Sequence, residues 1–408
     1  MADEFKGINY LRRKLAAKAG RVGTRYKFYE MKKEFADPSI VIPPQMSAQF
    51  KATLGWCAKA VDSLADRLVF REFEDDNFDL NGIFNMNNPD TLFDSAILSA
   101  LISSCCFIYI SPDADGYPRL QVIDGGNATG IIDPITGLLT EGYAVLKRDN
   151  DTGQPILEAY FVPGRTDYYR AGTADVESTY HSVNYPLLVP IIYRPDAVRP
   201  FGHSRISRSC MYFQKYACRV LVRSDVSAEF YSFPQKYVVG RSAESEPLDN
   251  WKATISSLLD FTKDEDGDHP TLGQFTQQSM TPYTEQLKTA AAGFAGETGL
   301  TLDDLGFATE NPSSAEAIKA SHENLRMAAR KAQRCFGSGF LNVGYLAACL
   351  RDDFPYKRRQ LYLTKAKWEP IFEPDAAMLS GVGDALIKIQ QGFPDYLTEE
   401  KLRDLVGF

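Results

Sequence analysis

Apolar residues repeat with a helical period towards both ends of this chain and with a period of two in between. Across 103–193, CCFIYIS, RLQVID, GYAVLKR, EAYFVP and TDYYRAG read as strands. Asp113-Ala114-Asp115-Gly116, Asp133-Pro134-Ile135-Thr136-Gly137 and the run from Asp149 to Gly153 punctuate them. These clusters are read as hairpin turns, because none has the spacing of a calcium loop with its distal Glu. Helices are predicted over 46–70, 89–101, 204–231, 281–300, 313–350, 374–391 and 397–405. The first 35 residues, rich in Lys and Arg, read as an amphipathic helix or arm. Two further strands, QKYVVG and RQLYLTKAKWEPIF, complete an α+β pattern.

Two of the predicted helices separate cations from apolar residues. In the helix from 313, Ile318, Leu325, Ala328, Ala329, Ala332 and Phe336 share one arc at about 100° per residue. Lys319, His322, Arg326, Arg330 and Arg334 occupy another. Asn311-Pro312 disfavours helix just ahead of it, and Ser313 with Glu316 has the spacing of a capping box. In 204–231, Arg205, Arg208, Lys215, Arg219 and Arg223 lie opposite Ile206, Cys210, Phe213, Ala217, Val220 and Leu221. A basic stripe is read as a solvated surface or as a face that meets phosphate or another subunit. The small side chains of TEQLKTAAAGFAGETGL suit a close helix–helix approach.

Composition narrows the function classes. The 408 residues, 44% hydrophobic and 24% charged, suffice for two or three domains' worth of core. A net charge of -8 argues against nucleic-acid binding by bulk charge, though not against local basic faces. The cysteines are scattered without metal spacing and read as reduced, buried thiols of a protein that folds in a cytoplasm. The N-terminus MADEFKGINYLRRKLAAKAGR lacks a signal-peptide pattern, and the longest apolar run, 96–110, is too short to span a bilayer, so no membrane partner is expected. Walker A, GxSxG and HExxH motifs are absent, and His181, His203, His269 and His322 are isolated in sequence. No catalytic residue, metal or cofactor is expected.

Taken in order, several segments resemble the portal proteins of tailed bacteriophages, in the siphovirus branch common in Gram-positive hosts. FVPGRTDYY is similar to that family's wing, and VPIIYRP with RPFGHSRIS to its approach to the first stem helix. SAEFYSFPQKYVVG is similar to the passage from stem to clip, and LGQFTQQSMTPYTEQLKTAAAGFAGETGL to the return through clip and second stem helix. NPSSAEAIKASHENLRMAARKAQRCFGSGF resembles the helix after the tunnel loop, and DALIKIQQGFPDYLTEEKLRDLVGF the crown helices. The resemblance covers nearly the whole chain; members of the family commonly run on past its last segment.

The resemblance implies a portal fold: arm and wing over 1–200, stem helix 201–232, clip 233–280, second stem helix 281–300 and tunnel loop 301–312. A long helix and wing return strand over 313–372 and a crown over 373–408 complete it. It implies a homo-oligomeric ring, usually of twelve subunits, at one capsid vertex of the virion, assembled in the host bacterial cytoplasm. Double-stranded DNA passes through the ring without sequence specificity. The implied partners are the terminase large subunit, a neck or adaptor protein, and the major capsid and scaffolding proteins. Asp303, Asp304, Leu305, Gly306, Phe307, Ala308, Thr309, Glu310 and Asn311 then line the channel, and the two basic stripes meet neighbouring subunits or DNA. The alternatives are a monomeric DNA-binding adaptor, another virion structural protein, and an enzyme or motor subunit with an unrecognised site.

Overall fold

Strand parity builds the centre of the molecule. The structure, a computed structural model, describes residues 5–32, 50–232, 236–239, 271–274, 279–307, 320–372 and 376–392. Strands β2 (Cys105–Pro112), β3 (Pro118–Ile123) and β9 (Leu188–Ile192) form an antiparallel sheet in the order β3-β2-β9. β2 is buried from Cys105 to Ile110, so it needs cover on both faces. Its even positions turn to α4 (Pro89–Ser103), where the Cys106 thiol donates to the Ala96 carbonyl at 3.1 Å. Its odd positions turn to a second sheet: Tyr109 packs 5.3 Å from Phe161 and its hydroxyl lies 2.7 Å from that of Tyr168.

The second sheet is an antiparallel meander of β4 (Ala128–Ile132), β5 (Leu139–Arg148), β6 (Pro155–Val162), β7 (Arg165–Arg170) and β8 (Val176–Tyr180). The β-rich block expected across 103–193 is therefore present, split into two sheets. Its Asp-rich punctuation consists of turns, as expected. The Asp113 carboxylate accepts from the amides of Asp115 and Tyr117, and that of Asp149 from Asp151 and Thr152. Gly116, Gly137 and Gly153 follow at positive φ, which glycine adopts without strain.

Helix α1 (Ile8–Tyr29) closes one side. Leu11 and Leu15 pack on Tyr143, Val145, Tyr160 and Val162 of the larger sheet. The buried Glu141 carboxylate anchors the start of the helix, accepting from the Lys6 and Gly7 amides at 2.7 and 2.9 Å and from the Tyr160 hydroxyl at 2.8 Å. Arg12 adds an ion pair to Glu158, which also accepts from Tyr143. The segment expected as a basic arm is thus, among its described residues, a helix tied to the larger sheet.

Helical prediction over 46–70 is corrected within the described residues. α2 spans only Trp56–Ala65, and Phe70–Glu74 is strand β1, paired with β12 (Lys365–Trp368). A short α3 (Leu80–Asn85) follows β1. The long strand expected over 359–372 shrinks likewise to a 3-10 turn, Arg358–Leu361, ahead of β12.

The helix expected from residue 204 begins four residues later, as α5 (Arg208–Ser232). Ser204 and Arg205 are spent on tying the chain to the end of α4: the Ser204 hydroxyl donates to the Ile102 carbonyl at 2.6 Å and the Arg205 amide to Leu101 at 2.8 Å. Strands β10 (Lys236–Val239) and β11 (Thr271–Gln274) pair antiparallel beyond α5. α6 (Thr281–Thr298) returns alongside α5, then α7 (Glu323–Arg351) crosses the core, and α8 (Ala376–Gly392) follows β12. The terminal helix expected over 397–405 lies outside the described residues.

α7 sits close to its neighbours because its buried face carries glycine. A Cβ on Gly339 would lie 2.9 Å from Ile191 Cδ1 of β9, and one on Gly344 would lie 2.9 Å from Leu80 Cδ1 of α3. We expect Gly339→Val to lower the unfolding free energy by about 1–3 kcal/mol, as overpacking does. Gly20→Ala, where an added Cβ meets nothing within 4 Å, should raise it by about 0.5–1 kcal/mol. Urea denaturation of the two variants checks both signs.

Candidate functional site

The first basic stripe lies on α5, and packing decides which of its predicted members belong to it. Cys210, Gln214, Ala217, Cys218 and Val222 are buried, and Gln214 links α5 to the approach to α2. Its carbonyl accepts from the Cys57 amide at 2.8 Å and its amide donates to Leu54 at 2.6 Å. α6 presses on the same side through Ala290, Ala291 and Phe294, with the Phe213 ring seated where a Cβ on Gly293 would be. Arg208, Lys215, Arg219 and Arg223 are left exposed, as expected, with Tyr212 among them. The Lys215 ammonium lies 5.6 Å over the Phe28 ring.

Arg205 does not join the stripe, which corrects that expectation. It precedes the helix and is 8% exposed. Its guanidinium donates to the Ala60 carbonyl of α2 at 3.2 Å and to the Thr298 carbonyl at the end of α6. The helical wheel put Arg205 on an exposed arc only because it assumed helix from residue 204.

The second stripe, on α7, is divided. Arg326 is committed to Glu323 one turn earlier by two hydrogen bonds of 2.7 and 2.6 Å, so its charge is locally matched. Arg330 and Arg334 are exposed and open onto a groove of about 690 Å³. Gln333 lines it from the same helix, and Arg358, Lys365 and Trp368 line its other wall. The Arg358 Nε donates to Asn342 Oδ1 at 3.0 Å, and burial pushes the guanidinium pKa down. The Gln333 amide nitrogen is buried without an acceptor among the described residues. Sequence reading missed Arg358 and Lys365, because the 3-10 turn and β12 that carry them come beside α7 only in the folded chain. Lys319, and the cap residues Ser313 and Glu316, lie outside the described residues.

The loop between α6 and α7 is described as far as Phe307. α6 ends at Gly299, at φ 70°, where the amide bonds back to Ala295 at 2.8 Å. Thr301 and Asp304 then form a reciprocal box. The Asp304 amide donates to the Thr301 hydroxyl at 3.2 Å, and the Thr301 amide donates to the Asp304 carboxylate at 2.9 Å. His322, at the start of α7, reaches the same carboxylate at 3.4 Å. The signal for this box, a Thr three residues ahead of an Asp, was present in the sequence but unused.

The predicted channel residues therefore divide. Asp303 and Gly306 are exposed, whereas Asp304 is turned onto its own backbone, Leu305 is buried and Phe307 packs against the core. Ala308, Thr309, Glu310 and Asn311 lie outside the described residues.

Burial pushes the Asp304 carboxyl up, but hydrogen bonds from Thr301 and the His322 ring outweigh it and hold the pKa below its ordinary value. A depressed folded value places the stabilisation above the unfolded pKa of about 3.9 and removes it as pH falls through the folded one. The protection factor of the Thr301 amide in hydrogen exchange should fall across that acid window. Asp304→Asn should lower it already at neutral pH; full protection there would contradict the box.

No protein-family model matches the chain. Among curated proteins, it is 23% identical over 403 residues to the portal protein of Mycobacterium phage D29, covering 93% of this chain and 81% of that one. It is 24% identical over 337 residues to the portal protein of Mycobacterium phage L5, covering 77% of this chain and 68% of that one. Among solved structures, it is similar to a chain in the virion of a native gene transfer agent particle, with TM-score 0.47, 12% identity, and coverage of 95% of this chain and 93% of that one. A chain in the neck of the native particle, computed with C12 symmetry, gives TM-score 0.47 and 13% identity, covering 96% of this chain and 99% of that one. The curated relatives bear the same family name as the resemblance carried by the ordered segments of the sequence: portal proteins of bacteriophages whose hosts are Gram-positive.

Proposed function

We propose that this chain is a portal subunit, a structural rather than catalytic component of a virion. The observation that carries the reading is the similarity to a curated portal protein along 93% of the chain. On this reading twelve copies form a ring at one capsid vertex. Double-stranded DNA passes through it during packaging and ejection. The ring docks the terminase large subunit and later a neck or adaptor protein, and meets the capsid and scaffolding proteins during assembly in the host cytoplasm. The five-stranded sheet serves as wing, α5 and α6 as stem, β10 and β11 as part of the clip, 301–312 as tunnel loop and α8 as part of the crown.

The stripe on α5 supports subunit contact over DNA gripping. Lys215 and Arg219 stand one four-residue step apart, where like charges destabilise a helix by about 0.2–0.5 kcal/mol per pair. An acidic partner relieves that repulsion. In a heterologous ring the partner is another face of the same chain. By sequence the run 244–268, which includes Asp264, Glu265, Asp266 and Asp268, supplies the opposite charge. Phosphate gripping fits a conduit poorly, because each neutralised phosphate adds affinity through counterion release.

Electron microscopy of the purified protein, averaged down the symmetry axis, should show rings of about twelve subunits with a central hole. Arg219→Glu combined with Arg223→Glu should shift the protein from rings to smaller species. Intact rings in that variant would remove the stripe from the interface. A wild-type monomer that binds duplex DNA with steep salt dependence would replace the portal reading by that of an adaptor.

A further inference from the structure

A second concentration of positive charge lies away from both stripes, beneath α1. A cavity of about 420 Å³ is walled by one side of α1, the start of β2 and the loop 199–202. Lys14, Lys18, Arg21, Arg25 and Arg199 line it, and no Asp or Glu does among the described residues. None of the five has an ion-pair partner among the described residues, in contrast to Arg12 on the same helix. The cavity is built rather than incidental. The Lys14 ammonium donates to the Gly130 carbonyl at 2.7 Å, and the Arg25 guanidinium to the Ser103 carbonyl at 2.8 Å. The Lys14 and Lys18 ammonium groups stand 5.0 and 5.6 Å over the Phe201 ring, and Lys18 also lies 5.1 Å over the buried Phe107 ring.

Two features of this cluster favour an anionic ligand. Its cations oppose one another: burial, and then the charge of Lys18, push the Lys14 pKa down, and burial, and then Arg21, push that of Arg25 down. The Thr129 hydroxyl, on a residue 1% exposed that lines the same cavity, has no hydrogen-bond partner among the described residues. An unpaired buried hydroxyl and converging unpaired cations are both satisfied by one kind of ligand, an oxyanion of more than one charge.

We propose that the cavity beneath α1 is a binding site for a small polyvalent phosphate, held by Lys14, Lys18, Arg21 and Arg25 from α1, Arg199 from the facing loop, and the Thr129 hydroxyl. The space is of the size that takes a pyrophosphate or the phosphate end of a nucleotide. A DNA duplex offers the same phosphate chemistry, but it meets groups that stand out from a surface. Lys14, Lys18 and Arg25 are half-buried within the cavity. The site does not depend on the portal reading, since every lining residue belongs to one chain.

Inorganic pyrophosphate is the probe. Added to the full-length protein, it should raise the melting temperature by about 3 °C or more at saturation. Sodium chloride at matched ionic strength should not. By calorimetry, Lys18→Gln combined with Arg21→Gln should weaken pyrophosphate binding at least about ten-fold, as loss of two charge-assisted contacts does. The melting temperature without ligand should stay level or rise, because repulsion is relieved. Thr129→Val, which keeps the shape and removes the hydroxyl, should weaken binding about three-fold or more. It decides the matter should the double variant fail to fold. Equal stabilisation by chloride, or unchanged affinity in a folded variant, overturns the site. So does a short DNA duplex that binds through these residues where pyrophosphate does not.

Discussion

The close seat of α7 against its neighbours sets the arrangement of everything around it. A helix normally stands off a sheet by the length of its side chains. Here Gly337, Gly339 and Gly344 bring the α7 backbone within reach of Ala366, Ile191 and Leu80. The larger residues between them, Phe336 and Phe340, then reach past the backbone into the core. Phe340 packs 4.7 Å from Phe93 of α4 and 5.9 Å from Phe70 of β1. One helix thereby joins the three-stranded sheet, the β1–β12 pair and α4 into a single core. That core fixes one face of β2, and the alternation of β2 carries the constraint through to the five-stranded sheet on the other.

Charge placement follows from the same packing. Once the inner faces of α5 and α7 are committed, the Lys and Arg residues between core positions are left on the outer faces. Where a local carboxylate is available it is used, as Glu323 is by Arg326 and Glu158 by Arg12. Where backbone carbonyls are left over at helix ends, a cation is drawn inside to meet them. Arg205 reaches the Thr298 carbonyl in this way, and by also donating to the Ala60 carbonyl it links the end of α6 to α2. Arg208, Lys215, Arg219, Arg330 and Arg334 remain exposed instead.

The parts of this structure that were legible in the sequence are those fixed by local periodicity. The helix over 89–101, the alternating block with its Asp-rich turns, and the buried faces of α5 and α7 were all readable from spacing alone. Boundaries set by tertiary contact were not. Ser204 and Arg205 fit a helical wheel, yet the carbonyls of Leu101 and Ile102 claim them. FREFE is too short and too charged to announce a strand until β12 pairs with it. The same limit applied to the sites. The two stripes lie each on one helix and so had a sequence signature. The groove beside Arg334 needs Arg358 from the 3-10 turn and Lys365 from β12, and the cavity beneath α1 needs Arg199 and Thr129 from two further segments. Convergence of distant residues leaves no periodic trace.

A chain with net charge -8 that sets rows of cations on α1, α5 and α7 incurs self-repulsion along each row. For a free monomer that arrangement has little to recommend it, since interspersed signs would be more stable. It suits a subunit that must present unlike faces to identical neighbours, because a heterologous contact closes only if one chain carries both complements. On the portal reading, the same segregation also governs the channel. Cations occupied by a neighbour's carboxylates would be withdrawn from DNA, and among the described residues of the loop before α7 the exposed charged residue is Asp303. A conduit needs its bore to repel weakly or not at all, while its subunits hold one another firmly. Placing the positive charge between subunits and leaving acid on the loop meets both requirements with one distribution of residues.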